Sequence, residues 1–260
     1  MNQSAFLKEN LSYWTKRAEG YSKVNQKELE TQQRCVWQNT LCQELRAHFP
    51  ERDHDTIRVL DIGCGPGFFS IVLAEQGYQV TAVDLTRAML DEAKRNAGHL
   101  ADHIHFLEMD AQHLIFSDAS FDAIVTRNLT WSLPDPKRAY EEWVRVLKPD
   151  GILLNFDANW YHYLFDDTAR EGYLQDRNNT KEQGIEDENV GDGFDVMENI
   201  AARVPLSRIQ RPQWDREVLD GLGVQVTLNE HIWNDVWSEE ERINFSSTPM
   251  FLICAKKVIN

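Results

Sequence analysis

A short glycine-rich turn between a strand and a helix is the feature that most constrains how this chain can fold. Residues 58–62 read as a mostly apolar strand, three alternating glycines follow, and a helical apolar pattern begins after Gly67. In α/β proteins such a unit places a ligand at the carboxyl edge of a sheet, against the amino end of a helix. The sequence therefore predicts a binding site centred on Gly63, Gly65 and Gly67.

Strand and helix patterns alternate along most of the chain. The predicted strands are residues 56–62, 79–84, 103–109, 121–126, 152–156, 224–228 and 250–256. Helices are predicted after the first, second and fourth strands, and the last of these is amphipathic, with Asp135 as its cap and Pro136 at its first position. This rhythm is typical of an α/β fold with a parallel sheet and helices on both faces.

Two regions depart from this rhythm. Residues 1–55 are predicted to form two helices, with a turn at Gly20 and a capping box of Asn25 and Glu28 at the start of the second. Residues 160–212 have no strand pattern; they begin with an aromatic cluster and continue through an acidic stretch, of which 181–193 reads as a surface loop. We therefore expect a helical N-terminal cap (1–55) and a main domain (56–260) with a lid-like insertion at 160–212.

Composition limits the class of protein. A chain of 260 residues with 42% hydrophobic residues suits one large α/β domain with an embellishment. With 27% charged residues and a mean hydropathy of -0.51, the chain is expected to be soluble and to have no membrane partner. The first ten residues lack a signal-peptide pattern, so a cytoplasmic location is expected. A net charge of -15 disfavours nucleic-acid partners.

The acids around the turn indicate the kind of ligand. A dinucleotide turn reads G-x-G-x-x-G, whereas here the third glycine comes one residue earlier. Asp61 precedes the turn, where a carboxylate suits a cationic ligand better than a pyrophosphate. Asp84 ends the second strand, where an acid accepts hydrogen bonds from ribose hydroxyls. Asp110, after the third strand, is placed for an adenine amino group, with Leu85 and Met89 against the ring, although a turn-forming aspartate is the alternative.

Five motifs in this order resemble those of a class I S-adenosylmethionine-dependent methyltransferase of the UbiE-like small-molecule branch. They are Asp61-Ile62-Gly63-Cys64-Gly65-Pro66-Gly67, Val83-Asp84, Met109-Asp110-Ala111, Phe121-Asp122-Ala123-Ile124-Val125 and Arg145-Val146-Leu147-Lys148-Pro149-Asp150-Gly151. The resemblance covers about residues 56–157, and Asp150 stands where the family usually has glycine. It implies a Rossmann-like, mostly parallel sheet of seven strands in the order 3-2-1-4-5-7-6, with the last strand antiparallel, and S-adenosylmethionine as cofactor.

The resemblance also implies roles for individual residues. The three glycines would let the backbone approach the cofactor. The other expected contacts are Asp61 with the amino group, directly or through water, Asp84 with the ribose, Asp110, Ala111 and Gln112 with adenine, and Asn128 with the methionine part. Tyr21 resembles an amino-terminal tyrosine that closes over the cofactor, and Trp14 or Arg17 would assist it. Packing on an amphipathic helix is the alternative for these last three residues.

The acceptor is expected beyond the fourth and fifth strands, under a cover, because methyl transfer is an in-line displacement that needs alignment and exclusion of water. Trp131 and Trp160, with Trp14, would wall a pocket for an apolar or cationic acceptor.

Three nearby residues are candidates for accepting a proton where the acceptor must lose one, namely Asp157, Tyr161 and His162. A hydrogen-bonded surface histidine and a helix-capping aspartate are the alternative interpretations. A catalytic metal is not expected, because Asn128 rather than an acid follows the fourth strand.

These patterns predict a methyltransferase that moves a methyl group from S-adenosylmethionine to a small molecule. Two alternatives stay open. A protein or RNA methyltransferase would show a basic concave surface beside the sulfonium. A regulatory protein that binds the cofactor without catalysis would have a filled or blocked acceptor pocket. The oligomeric state and the metabolite itself are not indicated by the sequence.

Overall fold

A seven-stranded sheet forms the centre of the computed structural model, which describes residues 3–187, 189 and 193–258. The strands are β1 (Arg58–Ile62), β2 (Gln79–Asp84), β3 (Ile104–Glu108), β4 (Phe121–Arg127), β5 (Leu147–Asp157), β6 (Val224–Asn229) and β7 (Phe251–Lys257). Their order is β3-β2-β1-β4-β5-β7-β6. The first five strands are parallel, and β7 runs antiparallel to both β5 and β6. The predicted fold class and strand order are confirmed.

Helices surround this sheet. They are α1 (Gln3–Glu30), α2 (Gln32–His48), α3 (Phe68–Ala74), α4 (Arg87–Ala97), α5 (Pro136–Val146), α6 (Asp167–Gln183), α7 (Phe194–Ala201), α8 (Gln213–Gly221), α9 (Trp233–Val236) and α10 (Glu239–Asn244). Short 3-10 turns cover His54–Thr56, Gly98–His103, Thr130–Ser132, His162–Leu164 and Pro205–Arg208. The predicted cap of α5 is confirmed, since Asp135 Oδ1 accepts a hydrogen bond from the Arg138 amide at 3.0 Å.

Side chains of the central strands alternate between two hydrophobic cores. Val59 of β1 belongs to the core that contains Trp37 of α2, and Leu60 belongs to the core that contains Trp143 of α5. Burial on both faces is what a mostly parallel sheet requires. Helix α2 is thus part of the main core, while α1 lies over the carboxyl edge of the sheet, as described below. The division of the chain at residue 55 stays a prediction.

The amino-terminal region differs from its prediction. Helix α1 continues without a turn through Gly20 and ends only at Glu30. A glycine inside a helix costs only about 1 kcal/mol relative to alanine, and α1 is held by packing on α4, where Asn96 Nδ2 donates to Ser22 Oγ at 3.0 Å. The predicted capping box at Asn25 is also wrong, because Asn25 lies inside α1 and its Nδ2 donates to Glu28 Oε2 at 2.9 Å.

The insertion at 160–212 has no strand among its described residues, and its acidic part is more regular than expected. Most of that part forms α6, whose cap is Asp166. Polar contacts hold this polar helix in place: buried Asp176 accepts from the amide and the hydroxyl of Ser247 at 2.9 and 2.6 Å. Of the predicted surface loop at 181–193, residues 188 and 190–192 lie outside the described residues. Among the described helices, none is both long and apolar enough to cross a membrane.

Candidate active site

The glycine turn adopts a backbone that only glycine accommodates easily. Gly63, Gly65 and Gly67 have φ angles of +67°, +52° and +92°, a region that other residues rarely adopt. Two of these glycines also lack room for a side chain. A Cβ at Gly63 would lie 2.8 Å from side-chain carbons of Leu129, and a Cβ at Gly67 would lie 3.2 Å from Cα of Ala93. The turn therefore leaves bare backbone at the carboxyl end of β1.

Asp84 braces this turn. Its Oδ2 accepts a hydrogen bond from the Gly65 amide at 3.0 Å, and its Oδ1 accepts one from the Thr86 amide at 2.8 Å. Burial raises the pKa of Asp84, although these backbone donors oppose the shift. The carboxylate has remaining lone pairs beside the turn, where a hydroxyl-bearing ligand would find acceptors.

Asp61 lies behind the turn. It is 2% exposed, and its Oδ2 accepts a hydrogen bond from Ser70 Oγ at 2.5 Å. Burial raises the pKa of Asp61 to about 7, and the Ser70 hydrogen bond only partly opposes this effect. Neither Asp61 nor Gly67 lines the cavity described next, so the geometry does not support direct contact of Asp61 with a ligand there.

A cavity opens against the glycine turn, and we call it the turn cavity. It brings together most of the predicted cofactor contacts, namely Tyr21, Gly63, Gly65, Asp84, Leu85, Met89, Asp110, Ala111, Gln112 and Asn128. Sequence reasoning missed several of its walls, namely Leu7, Asn10 and Leu11 of α1, Thr86, Met109, Arg127, Leu129 and residues 132–134. Most of these residues reach the cavity through tertiary packing, so no local pattern could have revealed them.

Hydrogen bonds fix the loop after β3 on one side of the turn cavity. Asp110 Oδ1 accepts from the amide and from Nε2 of Gln112 at 2.9 and 3.1 Å. Gln112 Oε1 in turn accepts from the Asp135 amide at 2.8 Å. These bonds hold the predicted adenine contacts in a fixed arrangement.

A second cavity of about 230 Å³ adjoins the first, and we call it the aromatic cavity. Ten aromatic side chains line it: Tyr13, Trp14, Tyr21, Trp37, Trp131, Trp160, Tyr161, Phe194, Trp237 and Phe245. All three predicted substrate residues, Trp14, Trp131 and Trp160, are among them. The two cavities share four wall residues, which are Trp14, Tyr21, Arg127 and Asn128.

Asn128 stands at this junction in an unusual conformation. Its φ angle is +58°, and its carbonyl accepts a hydrogen bond from Trp131 Nε1 at 2.9 Å. The side-chain Oδ1 is buried and has no hydrogen-bond partner among the described residues. Buried oxygens are nearly always bonded in proteins, so this atom is available to a ligand.

Arg127 is the charged residue of the junction. It forms an ion pair with Glu28 of α1, and its guanidinium carbon lies 4.8 Å from the ring centroid of Phe68. Burial alone would lower the pKa of Arg127, but the carboxylate of Glu28 outweighs it and raises the pKa. No local sequence pattern predicts this pair, because its members belong to distant segments.

The three candidate proton acceptors lie in different surroundings. Asp157 is fully buried, receives Arg211 Nη1 at 2.6 Å and the Trp131 amide at 3.0 Å, and lines neither cavity. His162 faces a different surface cavity, with Nδ1 3.2 Å from the Ser207 carbonyl oxygen. The geometry therefore does not support a proton transfer by either residue.

Tyr161 does line the aromatic cavity, with its ring centroid 4.7 Å from that of Trp131. Burial raises the pKa of the Tyr161 phenol, so the phenol stays protonated at neutral pH. It can donate a hydrogen bond to a ligand but is a poor base. Within the described part of the chain, no three His, Cys, Asp or Glu side chains are grouped as metal ligands would be.

Comparisons with known proteins agree with this geometry. Residues 60–155 match the family model of a methyltransferase domain. The Bacillus subtilis protein YqeM, named as a methyltransferase, is 37% identical over 119 residues, which are 44% of this chain and 46% of YqeM. A ubiquinone biosynthesis O-methyltransferase of Coxiella burnetii is 34% identical over 109 residues, or 41% of this chain and 47% of that enzyme. The chain spans about half the length of these curated relatives.

The fold extends the likeness to nearly the whole chain. A Methanococcus maripaludis protein assigned to the S-adenosylmethionine-dependent methyltransferases superposes with a TM-score of 0.58 at 21% identity, over 95% of this chain and 94% of that one. The match to the methyltransferase domain model is thus carried by residues 60–155, and the sheet order is that of a Rossmann-like fold. Outside residues 60–155, α1 and the insertion supply most of the remaining walls of the aromatic cavity.

The residues of the turn cavity fit S-adenosylmethionine. The turn offers bare backbone where a Cβ would intrude, and Asp84 stands beside it with acceptor capacity. Leu85 and Met89 supply apolar surface, and Asn128 Oδ1 is an unpartnered acceptor. S-adenosylmethionine has hydroxyls, an adenine ring and a charged methionine end that match these groups in kind.

Proposed function

We propose that this chain is a methyltransferase that transfers a methyl group from S-adenosylmethionine to a small-molecule acceptor by in-line displacement. One observation carries the proposal: the turn cavity and the aromatic cavity meet at four shared residues. A cofactor held at the glycine turn and an acceptor held among the aromatic rings would meet at this junction. Bringing two reactants together in a fixed orientation supplies a large part of the acceleration in such reactions.

On the cofactor side, the chain's own residues would bind and orient. When bound, S-adenosylmethionine supplies a methyl group on a positively charged sulfur. Asp84 would accept hydrogen bonds from the ribose hydroxyls, while Leu85 and Met89 would pack on the adenine ring. Asp110 would accept from the adenine amino group. Asn128 would accept from the methionine end through its free Oδ1.

On the acceptor side, the aromatic rings would orient the acceptor and exclude water. Trp131 and Tyr161 pack on each other, and Trp160 packs edge-on against Phe245. Exclusion of water favours methyl transfer, because water would otherwise compete for the same space and screen the charges of the reacting groups. Proton transfer is a separate requirement, and it depends on the acceptor.

The walls of the aromatic cavity support a small acceptor rather than a macromolecule. Tyr13 and Trp14 of α1 and Phe194 and Met197 of α7 are among its walls, so it is a pocket lined largely by apolar rings. A net charge of -15 also disfavours an RNA acceptor. A ubiquinone O-methyltransferase is among the relatives, which is consistent with this proposal. A protein that binds the cofactor without catalysis would have a filled or blocked acceptor pocket, whereas side chains leave the aromatic cavity open. A cytoplasmic location stays a prediction.

Calorimetry with S-adenosylmethionine and S-adenosylhomocysteine tests the cofactor half. We expect Asp84→Asn to lower the affinity for both ligands on the order of tenfold to a hundredfold, because it loses a charge-assisted hydrogen bond. Asp91→Asn is the matched control, because Asp91 pairs with Arg87 on the surface of α4. Undiminished binding by the Asp84 variant would contradict the ribose assignment.

The acceptor half is tested by incubating the chain with methyl-labelled cofactor and a whole-cell extract. The extract is then separated into small molecules, protein and RNA. We expect label in the small-molecule fraction. Label confined to protein or RNA would overturn the small-molecule proposal, and cofactor binding without label in any fraction would favour a non-catalytic protein.

A further inference from the structure

One carboxylate in the aromatic cavity is not accounted for by the proposed cofactor contacts. Glu241, in the first turn of α10, lines this cavity. Its Oε2 accepts hydrogen bonds from the Ser238 amide and from Gln33 Nε2, both at 2.7 Å. Its Oε1 accepts none from the described residues. A carboxylate can accept about four hydrogen bonds, so half of this group is available to a ligand.

Glu241 has no cation of its own as an ion-pair partner among the described residues. Glu28 and Arg127, which line the same cavity, form an ion pair with each other. Arg17 is exposed. No Lys or Arg among the described residues forms an ion pair with Glu241. Burial raises the pKa of Glu241, and the carboxylate of Glu28 adds to the shift, while the Ser238 amide and Arg127 oppose it. A positive charge placed in the cavity would stabilise the ionised carboxylate of Glu241.

The other groups in the cavity favour the same kind of ligand. The faces of tryptophan and tyrosine rings attract cations, most strongly where water is excluded. A carboxylate oxygen and aromatic faces both complement an N–H group that carries positive charge.

Resting on the proposed function, we infer that the methyl acceptor is an amine, bound as its ammonium ion among the aromatic rings, with Glu241 as the group that holds it and accepts its proton. The Glu241 carboxylate removes one proton from the ammonium nitrogen, which frees the nitrogen lone pair. That pair forms the bond to the methyl carbon, and the electron pair of the broken carbon–sulfur bond stays on sulfur. The methylated amine leaves with a positive charge, and Glu241 returns its proton to water.

Binding of matched probes to the full chain tests this assignment. The chain is saturated with S-adenosylhomocysteine, and calorimetry then compares benzylamine with benzyl alcohol, phenethylamine with 2-phenylethanol, and tryptamine with tryptophol. Each pair has nearly the same shape and differs in charge. We expect at least one amine to bind on the order of tenfold tighter than its alcohol.

Two variants test whether the Glu241 carboxylate causes the preference for the amine over the alcohol. Glu241→Gln removes the charge but keeps a side chain that can complete the capping box, so α10 should remain folded. It should abolish the preference for the amine. Glu240→Gln is the control, because Glu240 is the adjacent residue and pairs with Lys27 on the surface. It should leave the preference unchanged.

The outcomes separate this inference from the proposed function. Equal or weaker binding of every amine relative to its alcohol, including no binding of either, would overturn the amine assignment while leaving the methyltransferase proposal intact. A preference that survives in Glu241→Gln would overturn the role of Glu241. Failure of S-adenosylhomocysteine to bind would instead remove the proposed function, and the inference with it.

Discussion

Arg127 donates two hydrogen bonds, of 2.7 and 3.0 Å, to the carboxylate of Glu28. The pair joins the end of β4 to α1, across 99 residues of sequence. Because Arg127 lines both cavities, the helix that covers the site is fixed to the sheet at the place where cofactor and acceptor would meet. Rings of Trp37, Phe68 and Phe69 surround the guanidinium and keep it from water.

The first prediction concerns this ion pair. Both side chains are less than 15% exposed, so Glu28→Gln leaves a buried arginine without its counter-charge. We expect it to lower the free energy of unfolding by about 3 kcal/mol, measured by urea denaturation. Lys27→Gln on the same helix breaks only the exposed pair with Glu240 and should cost less than about 1 kcal/mol. Similar costs for the two variants would contradict the importance of the buried pair.

The second prediction concerns the glycine turn. Gly67→Ala forces an alanine into φ +92° and places its Cβ 3.2 Å from the Ala93 Cα, a backbone atom that cannot rotate away. Gly77→Ala is the matched control, because its φ is +84° but nothing lies within 4 Å of its Cβ. Gly77→Ala should lower the free energy of unfolding only by the cost of the backbone strain, about 1–2 kcal/mol.

Gly67→Ala should cost clearly more than that control in thermal or urea unfolding. It should also weaken S-adenosylhomocysteine binding, because α4 and the turn must move apart, whereas Gly77→Ala should bind normally. Equal stability of the two variants would show that the contact with Ala93 is easily relieved.

The third prediction is a dependence of stability on pH. The folded pKa of Asp61 is about 7, above its ordinary value of 3.8. Between these values the folded chain binds a proton that the unfolded chain does not, so the contribution of Asp61 to stability is present at low pH and is lost as pH rises through 7. The slope approaches about 1.4 kcal/mol per pH unit.

Asp61→Asn removes this titration while keeping an oxygen for the Ser70 hydroxyl. The stability of the wild type relative to this variant should therefore fall as pH rises from about 4 to about 7. Urea unfolding of both proteins across that range measures the difference. A difference that is independent of pH would mean that the folded pKa of Asp61 is not raised.

The fourth prediction concerns Asp157. Arg211 contacts two carboxylates, Asp157 and Asp215, and all three side chains are 0% exposed. Arg211→Met would leave both carboxylates buried without a cation and should cost about 3–5 kcal/mol. Asp157→Asn keeps the Arg211–Asp215 pair, with Nε and Nη2 of Arg211 on Asp215, so it should cost clearly less.

Binding measurements with the Asp157 variant complete this test. Because Asp157 lines neither cavity, Asp157→Asn should keep its affinity for S-adenosylhomocysteine and for the amine probes. A large loss of probe affinity without a loss of stability would show that Asp157 does contribute to the acceptor site.

Sequence reasoning was accurate where the information is local. The second strand was predicted with the bounds that the structure shows, residues 79–84, because an apolar run ends there in Asp84 and a new helix follows. Gly63, Gly65, Asp84 and Asp110 were placed together for a related reason. Each stands at the end of a parallel strand or within three residues after it, and parallel strands end at one edge of the sheet.

The errors came from segments whose conformation depends on distant partners. Gly20 signals a turn in isolation, but packing on α4 keeps α1 helical. No helix was predicted in the acidic stretch after residue 166, yet contacts with Ser247 hold most of it as α6. Asp157 follows a strand as a catalytic acid would, and only the position of Arg211, 54 residues further on, shows that its charge is already paired.

The sequence by itself determined the fold and the glycine-turn half of the candidate site, because glycine spacing and strand-end acids act through local geometry. The tertiary structure decided the other half. Arg127, Glu28 and Glu241 come from β4, α1 and α10, and they meet only because α1 and α10 close over the carboxyl edge of the sheet. Which ring or carboxylate faces a cavity depends on packing between distant segments, and no local pattern encodes it.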